Sequence, residues 1–283
     1  MIRKKITFMK HAQEGTLNLC HVDWTSEEIS HDWDCMMAAV KLDGMMLKYA
    51  SDALKADHEI ALAAVQENGL ALEYVFAALR NDQEIVLAAV QQRGSALHYA
   101  FETLQNNRKI VLAAVRQDGR ALMWASNTLK DDQIVLAAIH ANGRAFRFAS
   151  AGLKSDRGVT MEAVRQDGLA LEYAADSLRS DREVVLTAVH SNGIALREAS
   201  ADIRSDREVV LTAVQQDGCA LQFADRSLKK NKEVVLAAVQ QDGCALQFAS
   251  SSLKANREIA RAAINQTPEA KWYVPDGVFR QLT

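Results

Sequence analysis

Ser180-Asp-Arg-Glu-Val-Val-Leu-Thr-Ala-Val-His-Ser-Asn-Gly193 is one copy of a segment that recurs along most of this 283-residue chain. Its closing glycine returns every 25 residues, with a single interval of 24. The series is Gly44, Gly69, Gly94, Gly119, Gly143, Gly168, Gly193, Gly218 and Gly243. A constant period in this range is typical of a solenoid, a stack of similar supersecondary units.

The quoted segment has the features of a helix, called helix A below. Ser180 and Glu183 have the S-x-x-E spacing of a capping box, and Ser205 begins a second copy of it. The apolar residues that follow cover a broad face, as in a helix packed on several sides. Gly193 predicts the end of the helix, because glycine adopts the left-handed C′ conformation without strain.

A second helix, helix B, is predicted directly after each glycine, for example over residues 219–229. At 100° per residue, the third, sixth and tenth positions after the glycine share one face, here Leu221, Ala224 and Leu228. The fifth position forms a ladder that we expect to be core, since aromatic rings fill gaps between stacked units. The ladder consists of Trp24, Tyr49, Tyr74, Tyr99, Trp124, Phe148, Tyr173, Glu198, Phe223, Phe248 and Tyr273.

These patterns predict an all-α fold, an α-solenoid superhelix of about ten short antiparallel helix pairs in one continuous domain. Right-handedness is the default expectation. Residues 1–31 are predicted to form an irregular N-terminal cap, residues 32–267 the repeat array, and residues 268–283 an apolar C-terminal cap. The apolar residues of that C-terminal cap are Trp272, Val274, Val278, Phe279 and Leu282.

The repeated string resembles an uncharacterised family called "domain of unknown function 4116". The closest stretch is Lys229-Lys-Asn-Lys-Glu-Val-Val-Leu-Ala-Ala-Val-Gln-Gln-Asp-Gly-Cys-Ala-Leu-Gln-Phe248. The resemblance covers roughly residues 32–265 and fails at both caps and around residues 131–162. It implies a bacterial origin and a relation to large effector-like proteins of intracellular bacteria. It carries no activity and no functional residue.

Composition excludes several classes of protein. A net charge of −3 argues against nucleic-acid binding, which normally requires a basic excess. No apolar stretch approaches the length of a membrane span, and the basic start has too short an apolar run for a signal peptide. We therefore expect a cytoplasmic protein, or one delivered into a host cytosol. The four cysteines, Cys20, Cys35, Cys219 and Cys244, are predicted to be free thiols in a reducing compartment.

Specificity in a repeat protein must lie in the columns that vary. On helix B, the first, fourth, eighth and eleventh positions are predicted to form one stripe opposite the leucines. Its first and fourth columns vary in charge, size and polarity, as in a recognition surface or a neutral solvated face. A cluster of cations near the middle of the array is a candidate site for an acidic peptide or phosphate group, or a solvated face offset by nearby aspartates. Phe76 and Phe101, where serine is usual, form either packing or docking contacts. The candidate partner-binding residues are Arg116, Arg120, Met123, His140, Arg144, Arg147, Arg165, Glu172, Arg197, Phe76 and Phe101.

Three irregularities interrupt the repeat. The unit entered at Asp131 is one residue short, and Gly152 and Gly158 follow in the next helices. Because glycine weakens a helix, this stretch is predicted to be a bend or a partner-induced hinge. Glu198 interrupts the aromatic ladder and is expected to be tolerated at its border or to pair with Arg197 or Arg226.

No arrangement of residues predicts catalysis, a metal or a cofactor. The N-terminal residues Cys20, His21, Asp23, His31, Asp34 and Cys35 have zinc-compatible side chains but no recognised ligand spacing. Cys35 also falls in a column of Ile and Val, which predicts a core position. The sequence therefore favours a non-catalytic scaffold that binds a protein or peptide. The alternatives are binding of nucleic acid or a phosphorylated ligand through the central arginines, and a rod that self-associates through its C-terminal cap.

Overall fold

The computed structural model describes residues 2–14, 22–24 and 26–282. In this part of the chain the regular elements are helices, with no β-strand, and the predicted all-α repeat fold is confirmed. The chain divides into two compact units, Met1–Ala145 and Phe146–Thr283. Both units are built from the same repeat, which is named below by its glycine. Among the described residues, no helix has the length and apolar content needed to cross a membrane.

Each repeat consists of three helical segments rather than the predicted pair. Helix A is an α-helix of ten residues, helix B a 3-10 helix, and helix C a short α or 3-10 turn. The helix A segments are Trp33–Leu42, His58–Glu67, Gln83–Gln92, Arg108–Gln117, Asp132–Ala141, Arg157–Gln166, Arg182–Ser191, Arg207–Gln216, Lys232–Gln241 and Arg257–Gln266. The helix B segments are Gly44–Tyr49, Gly69–Glu73, Gly94–Tyr99, Gly119–Trp124, Gly143–Phe148, Gly168–Tyr173, Gly193–Glu198, Gly218–Phe223, Gly243–Phe248 and Pro268–Tyr273. The helix C segments are Asp52–Lys55, Ala77–Asn81, Glu102–Gln105, Asn127–Leu129, Ala151–Lys154, Asp176–Arg179, Ile203–Ser205, Leu228–Lys230, Ser251–Lys254 and Asp276–Phe279.

Helix A begins one residue later than the predicted capping box. Asp181 is the N-cap of Arg182–Ser191, and its carboxylate accepts hydrogen bonds from the backbone N–H groups of Glu183 and Val184. Ser180 instead ends the preceding helix C, where its hydroxyl donates to the carbonyl of Asp176. The capping-box prediction is therefore wrong, because the shorter aspartate side chain already satisfies the free N–H groups of the first turn.

The glycine after helix A does not have the predicted left-handed conformation. Asn192, which ends helix A, is extended (φ −153°, ψ 112°), and its side chain accepts the N–H of Ile194 to cap helix B. Of the eight array glycines whose surroundings are described, none has a positive φ. A Cβ at Gly193 would lie 2.4 Å from the carbonyl oxygen of Ala213 in the next repeat. Close approach of two backbones, rather than chain reversal, therefore requires glycine here.

Helix B is interrupted where a continuous helix was predicted over residues 219–229. Ala224, at the sixth position, is extended (φ −64°, ψ 152°), and the next N–H, of Asp225, donates to the carbonyl of Arg204 in the preceding repeat at 2.9 Å. The same inter-repeat bond recurs in other repeats, for example from Phe101 to Arg80 at 3.1 Å. This pairing replaces the hydrogen bond that would continue helix B.

The core of each unit lies between helix A and its neighbours. Helix A packs against helix A of the next repeat, and helix B packs against both. In Arg182–Ser191, four apolar side chains are fully buried, and the predicted helix B face is buried at Leu196 and Ala199. The ladder residue Tyr173 is half-buried, as are most of its equivalents, so the ladder lies at the border of the core rather than inside it.

Both caps differ from the repeat. The cap predicted over residues 1–31 includes a 12-residue α-helix, Ile2–Gln13, which packs against Trp33–Leu42. Its Phe8 is buried edge-on against Trp24 at 6.0 Å between ring centres. In the C-terminal cap Val274 is buried and Val278, Phe279 and Leu282 are half-buried, whereas Trp272 is 77% exposed.

The irregular stretch keeps its helices. The missing residue falls between helix C Asn127–Leu129 and the N-cap Asp131, and the following helix A still has ten residues. Arg157–Gln166 likewise runs through Gly158 without a break. The irregularity is therefore absorbed by the joint between helix C and helix A, not by a break inside either helix A.

The cysteines follow the predicted columns. Cys35 is fully buried, and burial raises the pKa of its thiol to about 12. Cys219 and Cys244 are free and half-buried. Burial and a hydrogen bond to Asp242 raise the pKa of the Cys219 thiol to about 11. Cys20 and His21 lie outside the described residues.

Candidate functional site

Within helix B, the fourth position is a variable column that is exposed in seven of the nine glycine-bearing repeats. The third position is buried in every glycine-bearing repeat, and the next side chain in the 3-10 turn then faces outward in most of them. The exposed members are Lys48, Glu73, His98, Met123, Arg147, Glu172 and Arg197. Gln222 and Gln247 are half-buried because each amide donates back to a carbonyl of its own helix B, of Cys219 and Cys244 respectively.

The first position is less exposed than the sequence predicted. Arg120 and Arg144 are exposed, but the other members from Met45 to Cys244 are half-buried. The side chain at this position lies beside the extended residue that links helix A to helix B, which covers part of it. Of the first and fourth columns, only the fourth presents side chains to solvent throughout most of the array.

The predicted arginine cluster is divided among three columns. Arg116, His140 and Arg165 lie in the last turn of helix A, not on helix B. Arg120 pairs with Asp118 at 3.3 Å, and Arg165 pairs with Glu162 at 3.7 Å. The remaining cations, Arg144, Arg147 and Arg197, lie on helix B. Arg116, Arg120, Met123, His140 and Arg144 belong to the first unit, and Arg147, Arg165, Glu172 and Arg197 to the second.

In the second unit, helix B arginines contact the aromatic ladder. The Arg147 guanidinium lies over the ring of Phe148 at 5.0 Å and over that of Tyr173, in the next repeat, at 5.9 Å. Arg197 pairs with Glu198, with Nε and Oε1 2.5 Å apart, so the interruption of the ladder is compensated locally. Cation–π contact and ion pairing hold these exposed side chains in defined positions.

In the first unit, the corresponding surface is more apolar. His98 lies against Trp124 with ring centres 3.9 Å apart, and Met123 beside it is 44% exposed. Phe76 and Phe101 are each 47% exposed and occupy equivalent positions just before helix C. These side chains place apolar groups one repeat apart along the same edge of the unit.

A shallow cavity recurs between helix C of one repeat and the ladder residue of the next. In the first unit it has a volume of about 610 Å³ and is lined by Gln105, Met123 and Trp124, among others. In the second unit it occurs beside Phe223, with about 180 Å³, and beside Phe248, with about 490 Å³. The inter-repeat backbone bond forms its floor, so its position is fixed by the fold and its chemistry by helix C.

A ladder of ion pairs that the sequence analysis missed joins the N-termini of successive helices A. Arg157 contacts Asp181 (Nε–Oδ2 2.9 Å) and Glu183, and Arg182 repeats both contacts one repeat later. Arg108–Asp131, Arg207–Glu233 and Lys232–Glu258 continue the series. The separation of 23 to 26 residues between the partners was the available signal. These pairs tie repeats together rather than forming a binding site.

The described residues contain no group of three or more His, Cys, Asp or Glu side chains placed to hold a metal ion. In the N-terminal cluster, Asp34 pairs with Lys5 at 3.2 Å and Cys35 is buried in the core. The repeats of each unit instead carry exposed side chains that vary at the fourth position of helix B, next to buried positions that are nearly constant.

The sequence profile of the family described as Domain of unknown function (DUF4116) matches the chain eight times. The matches cover residues 32–80, 57–105, 82–130, 131–179, 156–204, 181–229, 206–254 and 231–277. The chain belongs to the DUF4116 family. No curated protein and no solved structure gave a significant match. Each DUF4116 match spans two successive repeats, and neighbouring matches overlap or meet at the missing residue before Asp131.

Proposed function

We propose that this DUF4116 protein is a non-catalytic scaffold that binds a protein partner through the fourth column of helix B and the side chains next to it. One observation carries the proposal. The buried positions of the repeat are nearly constant, whereas the fourth position is exposed from Lys48 to Arg197 and differs in charge and size between repeats. Within each compact unit, such a column supplies several distinct contacts on stacked repeats.

Arrangement of the charged members supports this proposal. Arg147 is held over two rings and Arg197 by Glu198, so both guanidinium groups are already ordered before a partner arrives. Ordered side chains lose less conformational entropy on binding. Met123 and the neighbouring aromatic rings provide apolar area of the kind that is enriched at interfaces.

Site-specific photo-crosslinking in the native cell tests the proposal. A photoreactive phenylalanine analogue is placed at Met123 or Arg147, and as a control at Glu59, which is exposed near the start of helix A. We expect one common partner at Met123 and Arg147 and none at Glu59. The triple variant Arg120→Glu, Arg144→Glu, Arg147→Glu should reduce its recovery. Identical products at all three positions, or an unaffected triple variant, would refute the proposed surface.

A second candidate is self-association through the C-terminal cap. Trp272 is 77% exposed, the largest exposure among the large apolar side chains described. Burying such a ring against a second copy is favourable by about 2 kcal/mol per side chain. Light scattering of the chain and of its Trp272→Glu variant tests this candidate. Equal masses for the two proteins would eliminate it.

A further inference from the structure

The cavity beside Phe248 differs from its equivalents in charge. It is lined by Arg226, Lys229 and Lys230 on one side and by Ser250, Ser251 and Ser252 on the other. Arg226 also lines the adjoining cavity beside Phe223, together with Arg204. Four cationic side chains thus border two adjoining cavities that share Arg226 and lie wholly within the second unit; together they are called the basic groove below.

The two added cations are peculiar to this repeat. Arg226 is the eighth residue after its glycine and Lys230 the twelfth, and no other glycine-bearing repeat has a basic residue at either position. In the first unit, the equivalent cavity has one cation, Lys130, and one carboxylate, Glu102, in its lining. The fold therefore supplies the groove in several repeats, whereas the Gly218 repeat alone makes it strongly basic.

Within the described part of the chain, the cations of these cavities have few direct side-chain partners, although Lys229 Nζ donates to the carbonyl of Gln222 at 2.6 Å. Arg226 and Lys230 make no side-chain hydrogen bond or ion pair there, and the Nε of Arg204 is buried without a hydrogen-bond partner. The carboxylate of Asp225, which lines the cavity beside Phe223, accepts the N–H and hydroxyl of Ser227. These hydrogen bonds, and then the charge of Arg226, lower the pKa of Asp225, so one carboxylate adjoins the four cations. Burial, and then Arg226, lower the pKa of Lys229, which is the expected response of an ammonium group to a like charge.

We infer that this groove binds a phosphate monoester carried by a partner protein, that is, a phosphorylated side chain. A phosphate group has about two negative charges and three strong acceptor oxygens, which match guanidinium, ammonium and serine hydroxyl donors. The hydroxyl oxygens of Ser250 and Ser252 lie 3.0 Å apart, and both serines line the same cavity as Arg226. Phe248 provides an apolar wall for the residue that carries the phosphate.

The extent of the charge favours a single phosphate over a polyanion. The preceding and following repeats have Ala201 and Ser251 where this one has Arg226, so the added charge is one repeat wide, roughly 10 Å. Nucleic acids and anionic membranes require a longer basic track. The site is separate from the fourth column of helix B, and its failure would leave the proposed function standing.

Titration of the full chain with O-phosphotyrosine, O-phosphoserine and inorganic phosphate, followed by amide chemical shifts, tests the inference. We expect saturable shifts at Arg226 and at residues 250–252 with the phosphorylated amino acids and none with tyrosine or serine. Arg226→Glu with Lys230→Glu should weaken binding roughly tenfold or more. Arg261→Glu with Arg280→Glu makes the same charge change elsewhere in the unit and should leave binding unchanged.

Two results would overturn the inference. The first is an equal loss of affinity for the phosphorylated amino acids in both double variants, or no saturable chemical-shift change in the unmodified chain. In either case, circular dichroism must show that the proteins are folded. The second is binding of a single-stranded RNA or of phosphatidylinositol-phosphate vesicles without binding of the phosphorylated amino acids. Either polyanion would then be the ligand in place of a phosphorylated protein.

Discussion

Single residues determine how closely the repeats stack. Each described array glycine lies against the carbonyl oxygen of an alanine in helix A of the next repeat. The same oxygen accepts the hydrogen bond from the residue that ends that helix A. Gly44 and Ala64, and Gly193 and Ala213, are two such pairs. The space beside the glycine Cα accommodates a hydrogen atom but not a Cβ. The short distance between the two backbones therefore requires glycine at this position.

Replacing Gly193 tests this explanation. We expect Gly193→Ala and Gly193→Asn to destabilise the protein by similar amounts, about 1–3 kcal/mol, because either Cβ forces the repeats apart. A left-handed cap would instead tolerate asparagine. Gly152→Ala, where the added Cβ meets only a side-chain oxygen at 3.9 Å, is the matched control and should not destabilise. Thermal denaturation followed by circular dichroism measures all three, and a clear advantage of Asn over Ala would contradict the close-approach explanation.

Thr160 is a second residue that departs from its column. It is fully buried, its hydroxyl has no hydrogen-bond partner among the described residues, and Val185 and Val210 occupy the same position in later repeats. We expect Thr160→Val to stabilise the protein by about 1 kcal/mol, since an unsatisfied buried hydroxyl is removed without loss of volume. In Thr187→Val, the control, a hydroxyl that donates to Glu183 is lost, and no gain is expected. Equal changes in melting temperature would argue against this account.

Among the elements, helix A depends on its N-cap and helix B on its neighbour. Asp181 starts helix A from within its own repeat, and Arg157 of the preceding repeat pairs with the same carboxylate. That pairing is the leading cause of the lowered pKa of Asp181. Helix B ends where Asp225 bonds to Arg204 in the preceding repeat. Helix boundaries are thus set partly by contacts between repeats.

The two candidate caps of helix A are separable by mutation. We expect Asp181→Ala to cost about 1 kcal/mol or more, because two N–H groups lose their acceptor. Ser180→Ala should cost less, since its hydroxyl donates only to the exposed end of helix C. Urea denaturation of both variants provides the comparison. A larger loss of unfolding free energy for Ser180→Ala than for Asp181→Ala would support the capping box of Ser180 and Glu183 instead.

Side-chain periodicity explains what was predictable from the sequence. The position of helix A, the buried column of Leu221 and the exposure of the fourth position all follow from the helical spacing of apolar and polar residues. The break at Ala224 does not, because it depends on a backbone carbonyl in another repeat. The basic groove was readable in principle: Arg226 and Lys230 are the only basic residues in their columns of the glycine-bearing repeats. Arg226 lies at the eighth position of the predicted stripe, but the periodicity alone does not show that this position and Lys230 border a cavity.

At the scale of the whole molecule, contacts between neighbours imply that a repeat is removable. Deleting residues 182–206 joins Asp181 to Arg207 and reproduces the native sequence Asp-Arg-Glu-Val-Val at the junction. Because each repeat packs only on its neighbours, we expect a folded protein whose helical signal falls in proportion to its length. Circular dichroism and gel filtration check this.

A deletion of residues 182–193 is the matched control. It removes helix A and its glycine but keeps the following helix B, so the register of the stack is lost. We expect this shorter deletion to be the more damaging of the two. The reverse order would mean that stability depends on length rather than on register.

The joint between helix C and the next N-cap has a consequence for how such proteins change in length. The other two joints are fixed by the glycine contact and by the inter-repeat backbone bond. In the described repeats no backbone bond to a neighbouring repeat falls between the eleventh residue and the N-cap, and the residue missing before Asp131 left both adjoining helices formed. An inserted loop there would add a closure cost of only about 0.6 kcal/mol for each doubling of its length. This is the place to graft an epitope or reporter, and the place where insertions and deletions should accumulate during evolution.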